Sequence, residues 1–242
     1  MEKKETVAVP SGSRVYESPL GGRWIGASVI TDKILEQRAK SGDADALFRL
    51  AYRLAFGRNR PRRPWRRILR FWLAAAEENH TRAQFYVGTC YEHGHGVDAD
   101  LETAIRWYEK AASQGHAQAQ YNLAFSYGEG SGKRRNPSRA FHWMHLAAEN
   151  ELPDAMRDLG YYYFHGVGVR VDQDEGTYWY RRAARLGDTR SAFNLGLCYL
   201  SGDGVTMSKR LALKWLRRAA SHGHAGAQNQ LVELSRGMRS AK

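Results

Sequence analysis

Three sets of side chains in this chain are of types that could carry chemistry. The densest is the stretch GRNRPRRPWRRILRFW, Gly57 to Trp72, with seven arginines in sixteen residues and no acid. Guanidinium groups fork onto phosphate and carboxylate oxygens, so alone this stretch reads as a nucleic-acid hook. The second set is histidine. His93 and His95 stand two apart, and His142, His145 and Glu149 fall at i, i+3 and i+7, where one helix face could touch one ion. A zinc site takes three or four converging ligands, and no such set is visible, so no metal is assigned. The third set is two cysteines, Cys90 and Cys198. The chain has no Gly-x-Ser-x-Gly elbow, Walker loop or dinucleotide fingerprint. Paired carboxylates occur only in segments that read as capping loops. No catalytic residue and no cofactor is assigned, and the chain is expected not to be an enzyme.

The elements that position these groups must come from a chain of 242 residues, 43% hydrophobic and 26% charged, which is ordinary for a folded protein. Its net charge is +12, which suits an acidic partner without choosing one. The first residues, MEKKETVAVPSGS, have no apolar run behind their lysines, and no stretch approaches the 18 apolar residues of a membrane span. Two cysteines do not make a disulfide scaffold. The expected compartment is the cytoplasm.

Self-similarity organises the rest. Trp107, Trp143, Trp179 and Trp215 fall 36 residues apart, and alanine pairs at 111–112, 147–148, 183–184 and 219–220 keep the same step. So do Tyr91, Tyr127, Tyr163 and Tyr199, and the turn glycines Gly94, Gly130, Gly166 and Gly202, each with a second glycine two residues on. Each unit predicts two helices. The first has a face of Ala, Leu or Val, and Tyr at i, i+4 and i+8. The second starts at a capping residue, Asp100, Asn136, Asp172 or Ser208, whose side chain can accept from the first turn. It ends at Gly115, Gly187 or Gly223, with Glu151 breaking the pattern in the third unit. His80, His116 and His224 read only as a repeat feature after that ending.

These residues, AQFYVGTCYEHGHGVDADLETAIRWYEKAASQG and its successors, resemble the Sel1-like repeat, a relative of the tetratricopeptide repeat. The resemblance implies an all-α, right-handed solenoid of about five units of ~36 residues with half-repeat caps. Four good copies run from Arg82 to His224, and a fainter one precedes them. Residues 1–30 read as a flexible arm and 31–242 as the array, capped at about 31–43 and 225–242. The resemblance also implies a non-enzymatic scaffold or adaptor that takes a protein or extended peptide in its concave groove, and, as the alternative, an immunity-type protein that neutralises a toxin. Association of basic loops with nucleic acid or an anionic membrane ranks third.

In that frame the arginines decorate a repeat loop. The expected basic residues are Arg58, Arg60, Arg62, Arg63, Arg66 and Arg67 in the first unit and Lys133, Arg134 and Arg135 in the third. The same loops in the second and fourth units are acidic, at Asp98, Asp100 and Glu102 and at Asp172, Asp174 and Glu175. Alternating sign argues against a phosphate-tracking groove, although it leaves an acidic protein partner open. Cys90 and Cys198 share a column three units apart, too far for a disulfide. In tetratricopeptide-like arrays the first helices line the groove. The column before the core Leu or Val holds Tyr86, Asn122, Asp158, Asn194 and Gln230. Four residues on stand Cys90, Ser126, Tyr162 and Cys198, and then His93, Glu129, His165 and Ser201. These vary while the frame stays constant, which makes them the expected partner contacts.

Overall fold

The computed structural model describes residues 32–57 and 63–240, and within them all regular structure is α-helical. Twelve helices follow one another: α1 (Asp32–Lys40), α2 (Ala44–Phe56), α3 (Trp65–Glu77), α4 (Thr81–His93), α5 (Leu101–Ser113), α6 (Ala117–Glu129), α7 (Pro137–Glu149), α8 (Pro153–His165), α9 (Gln173–Arg185), α10 (Thr189–Ser201), α11 (Lys209–Ser221) and α12 (Ala225–Ser240). Each packs against its neighbours in chain order, so the array is an all-α repeat solenoid. The even-numbered helices from α2 are the first helices of their units. The arm at 1–30 and Arg58, Arg60 and Arg62 lie outside the described residues.

The loop inside each unit is built the same way four times. Backbone N–H groups of Asp100, Asn136, Asp172 and Ser208 donate to the carbonyls of Tyr91, Tyr127, Tyr163 and Tyr199 at 2.7–3.0 Å. The side chains of those four residues then accept from the first turn of α5, α7, α9 and α11. The first glycine of each turn closes its helix in the left-handed region, as Gly166 does after α8 at φ 68°. The second also touches the preceding unit. At Gly168, φ 72°, an added Cβ would run into the Pro137 carbonyl, so glycine is needed there for approach as well as for φ.

The first unit departs from this pattern. Gly57 follows α2 in extended backbone, φ −62°, and Pro64 gives α3 no side-chain cap. Its longer, proline-interrupted loop does not make the left-handed turn that the glycine column predicts. The third unit departs less than its sequence suggests, because Glu151 adopts the left-handed conformation itself, φ 59°, as does Asn79 at φ 58°.

Small residues bring the helices together. Ala83, Ala111, Ala119, Ala147, Ala155, Ala183 and Ala219 have no exposed surface. Trp179 and Trp215 are buried, whereas Trp107 and Trp143 are half-buried. Trp143 packs against both the N-terminal core and the core centred on α7 to α9, so it joins two units. In the first unit the tryptophan column holds half-buried Phe71, and the buried ring is its neighbour Trp72, 1% exposed.

The start of the first helices holds a device that the sequence did not reveal. Nδ1 of His80, His116 and His224 accepts from the N–H of Ala83, Ala119 and Ala227 at 3.2–3.3 Å. Each imidazole stacks on a phenyl ring of the preceding first helix, Phe48, Phe85 or Phe193, with centroids 4.4–4.6 Å apart. An imidazole can cap this way only while Nδ1 is unprotonated.

Candidate functional site

The face of the first helices holds the expected contact residues, and the structure divides them. Tyr86, Cys90, Asn122 and Cys198 are buried and present no contact surface. This corrects the expectation, and the reason is geometric. Each first helix is packed by its own second helix and by the one before it, so its buried arc reaches past the Ala-Leu-Tyr stripe into the neighbouring columns. Burial pushes the Cys90 thiol up to about 12 and the Cys198 thiol above its usual value, so neither is an activated nucleophile. Ser126, Asp158, Tyr162, Asn194 and Gln230 are half-buried, and His93, Glu129, His165 and Ser201 are exposed at the helix ends.

The accessible stripe runs through columns that the sequence reading missed. Positions four before and three after the Tyr86 column share its helix face. They include Arg82, Gln118, Asp154 and Arg190 in the first column, and Tyr52, Phe125 and Tyr161 beside the buried Thr89 and the half-buried Leu197 in the second. Arg190 and Asp154 are exposed, and Tyr161 is 49% exposed. Extending the column by i−4 and i+3 was the signal available.

At the centre of this face a charge network joins three units. The Arg157 guanidinium contacts Asp154 at 2.6 Å, Asp158 at 2.9 Å and Asp188 at 3.3 Å. The Tyr121 hydroxyl donates to the other Asp158 oxygen at 2.8 Å. Burial works against the Arg157 charge, but the three carboxylates outweigh it and hold the guanidinium protonated. Burial pushes the Asp158 carboxyl up, opposed by Arg157 and by the Tyr121 hydroxyl.

Beside this network, between α8 and α10, lies a cleft of about 330 Å³. Tyr161, Tyr180 and Phe193 supply its rings, Asn194 and Asp158 its polar edge, and Arg157, Arg190 and His224 complete it. The structure therefore brings Asp158 and Asn194 to one concavity. Apolar walls with a few polar groups are the usual makeup of a ligand-binding concavity.

The basic set falls elsewhere. Arg63, Arg66 and Arg67 are exposed at the start of α3, with Arg67 over the Phe71 ring at 5.4 Å. Trp65 stacks on His95 at 4.2 Å, tying this loop to the next unit. Lys133 pairs with Glu109 at 3.5 Å, and Arg135 donates to the Gly128 carbonyl at 3.0 Å. Arg134 is exposed. Among the histidines, His145 lies 3.6 Å from Glu149 while His142 points to solvent. Among the described residues no three ligating side chains converge, and no helix is long and apolar enough to cross a membrane.

Known proteins place this arrangement. No curated protein matches the chain. Among solved structures, a protective antigen of uropathogenic Escherichia coli with an SLR fold is 34% identical, TM-score 0.79, covering 84% of this chain and 43% of that one. A Sel1 repeat protein of Oxalobacter formigenes is 29% identical, TM-score 0.77, covering 84% of this chain and 59% of that one. The chain thus spans less than two thirds of either. An immunity protein of Pseudomonas aeruginosa is 26% identical over 76% of this chain and 67% of that one, but its TM-score is 0.47. The Sel1 repeat matches residues 44–62, 81–116, 117–152, 153–188 and 189–224, each match opening on the first residue of a first helix. With its units in that register over most of its length, the chain belongs to the Sel1 repeat family.

Proposed function

We propose that this protein is a non-enzymatic scaffold that holds an extended segment of a partner protein against the face of its first helices. The Sel1 repeat is typical of protein–protein interaction scaffolds, and proteins built from it are generally non-enzymatic. The observation that carries the reading is the cleft between α8 and α10, an open concavity on the same face as the exposed Tyr161 and Arg190. A constant frame with side chains that change from unit to unit suits recognition of one sequence along its length.

The test is affinity capture from native lysate, with and without nuclease, eluted in a salt series and read by mass spectrometry. The expected result is a protein partner that survives nuclease and moderate salt. It should be lost with Tyr161→Ala and Arg190→Ala together and kept with Arg66→Ser and Arg67→Ser. Recovery that depends on nucleic acid and fails only in the arginine-loop variant overturns the reading, since phosphate contacts weaken steeply with salt. A single tight, stoichiometric toxin would narrow the scaffold to an immunity protein.

A further inference from the structure

We propose that the cleft between α8 and α10 receives one aromatic side chain, tyrosine or phenylalanine, of the partner segment. This rests on the scaffold reading and adds the occupant. The argument is internal to the molecule, because the same slot exists three units earlier with its occupant in place.

In the slot between α2 and α4 the Tyr86 ring lies stacked on Trp72, centroids 4.7 Å apart and planes 18° apart. It is flanked by Tyr52 at 5.8 Å and Phe48 at 5.9 Å. Arg82 lies over the Phe48 ring at 4.7 Å and over Tyr52 at 5.9 Å. The roof is His116 stacked on Phe85. The slot is full, with Tyr86 only 8% exposed.

In register, the slot between α8 and α10 keeps most of these parts. Tyr180 stands for Trp72 as the floor, Tyr161 for Tyr52 as the wall, and His224 on Phe193 for His116 on Phe85 as the roof. Two parts differ. Asn194 stands where Tyr86 does, so the volume that a phenol ring fills in the first slot is open in the second. Arg157 stands where Phe48 does, so Arg190, the counterpart of Arg82, has no ring from that position to lie over and is exposed. An incoming aromatic ring would take the place of Tyr86, pack against the exposed Tyr161 ring above the buried Tyr180, whose own ring is stacked on Phe164, and give Arg190 a face to cover. Asn194, half-buried in the lining of the cleft, stays at the edge, where it can meet the partner's backbone. A volume of about 330 Å³ lies at the small end of ligand pockets, which run from roughly 300 Å³, and fits one side chain rather than a cofactor.

The probes are two capped tripeptides, acetyl-Gly-Tyr-Gly-amide and acetyl-Gly-Leu-Gly-amide, titrated into the full chain and followed by amide NMR. The tyrosine peptide should shift signals from α8, α10 and the start of α12, and the leucine peptide should bind at least about fivefold more weakly. Asn194→Tyr, which supplies the missing ring from within, should abolish the shifts. Arg190→Ala should weaken binding by about three- to fivefold. Absence of shifts, equal binding of both peptides, or undiminished binding to folded Asn194→Tyr would overturn the proposal. If Asn194→Tyr fails to fold, Arg190→Ala with Tyr161→Ala decides, and undiminished binding there overturns it too. A captured partner that Asn194→Tyr still holds sinks the cleft proposal and leaves the scaffold standing. Tyrosine binding with no captured partner sinks the scaffold and leaves the cleft as an aromatic site.

Discussion

The slot at α2–α4 and the slot at α8–α10 share one backbone plan and differ in what fills them. The first is closed by its own Tyr86, with Trp72 and Phe48 buried around it. The second is open beside a guanidinium held by three carboxylates. A repeat scaffold thus separates two tasks that a globular core merges. Alanine, leucine and glycine columns keep the units stacked, and a few columns between them are free either to complete the core or to leave it unfinished.

The largest expected effect breaks the filled slot. Tyr86→Ala removes a buried ring that stacks on Trp72 and packs against Phe48, Tyr52, Phe56 and Phe85, and should cost about 3–5 kcal/mol in thermal or denaturant unfolding. Asn194→Ala, at the same column of the open slot, should cost within about 1 kcal/mol. Equal losses at the two positions would mean that the second slot is not open in solution.

The next effect is pH. Burial lowers His116 to about 4 from its ordinary 6.5, with Arg82 adding to the effect and its own backbone opposing it. His80 is lowered too, by burial, with Asp45 opposing and Arg82 and Arg49 assisting. A histidine whose folded pKa lies below the unfolded one stabilises fully above pH 6.5, and that stability drains as pH falls towards 4. For His116 the gap is worth about 3 kcal/mol. Melting followed from pH 7.5 to 4 should show this slope. His116→Asn, which caps without titrating in that range, should flatten it, and an unchanged slope would remove the cap from the account.

A smaller loss belongs to the open slot's flank. Arg157→Met leaves Asp154, Asp158 and Asp188 without their shared cation. It should cost about 2 kcal/mol at pH 7, discounted from a fully buried pair because the carboxylates are partly exposed. Denaturant unfolding should show that cost shrinking as pH falls and the carboxylates protonate.

What the sequence made legible was whatever a single column states by itself. The alanines, the N-caps at Asp100, Asn136, Asp172 and Ser208, and the glycine turns each need only a residue type at a fixed step. Burial of Tyr86 and Asn122 was not legible, because it depends on helices from the adjacent unit closing over a position that looks peripheral on its own helix. The capping role of His80, His116 and His224 was hidden for a chemical reason. Imidazole is not among the usual N-cap side chains, and here a phenyl ring one unit back holds it in place. Arg157 escaped notice because its partners stand at columns of three different kinds: its own turn, its neighbour and the next unit's cap.

The smallest expected effect concerns how one wall of each slot, α4 in the first and α8 in the second, is entered. The chain reaches α4 through Asn79 and α8 through Glu151, both left-handed, where the other units use Gly115, Gly187 and Gly223. Asparagine tolerates that region and glutamate does not. Glu151→Gly should therefore relieve strain and raise stability by about 0.5–1 kcal/mol, even though it gives up an exposed contact to Arg182 at 4.0 Å. Asn79→Gly should change stability by no more than a few tenths of a kcal/mol. Paired melting curves of the two variants measure this difference directly. A gain at Glu151 that leaves the tyrosine peptide's affinity untouched would show that the strain belongs to the connection and not to the open slot. A gain that weakens the peptide would mean that α8 is held off its relaxed position, and that the slot stays open partly because of how its wall is entered.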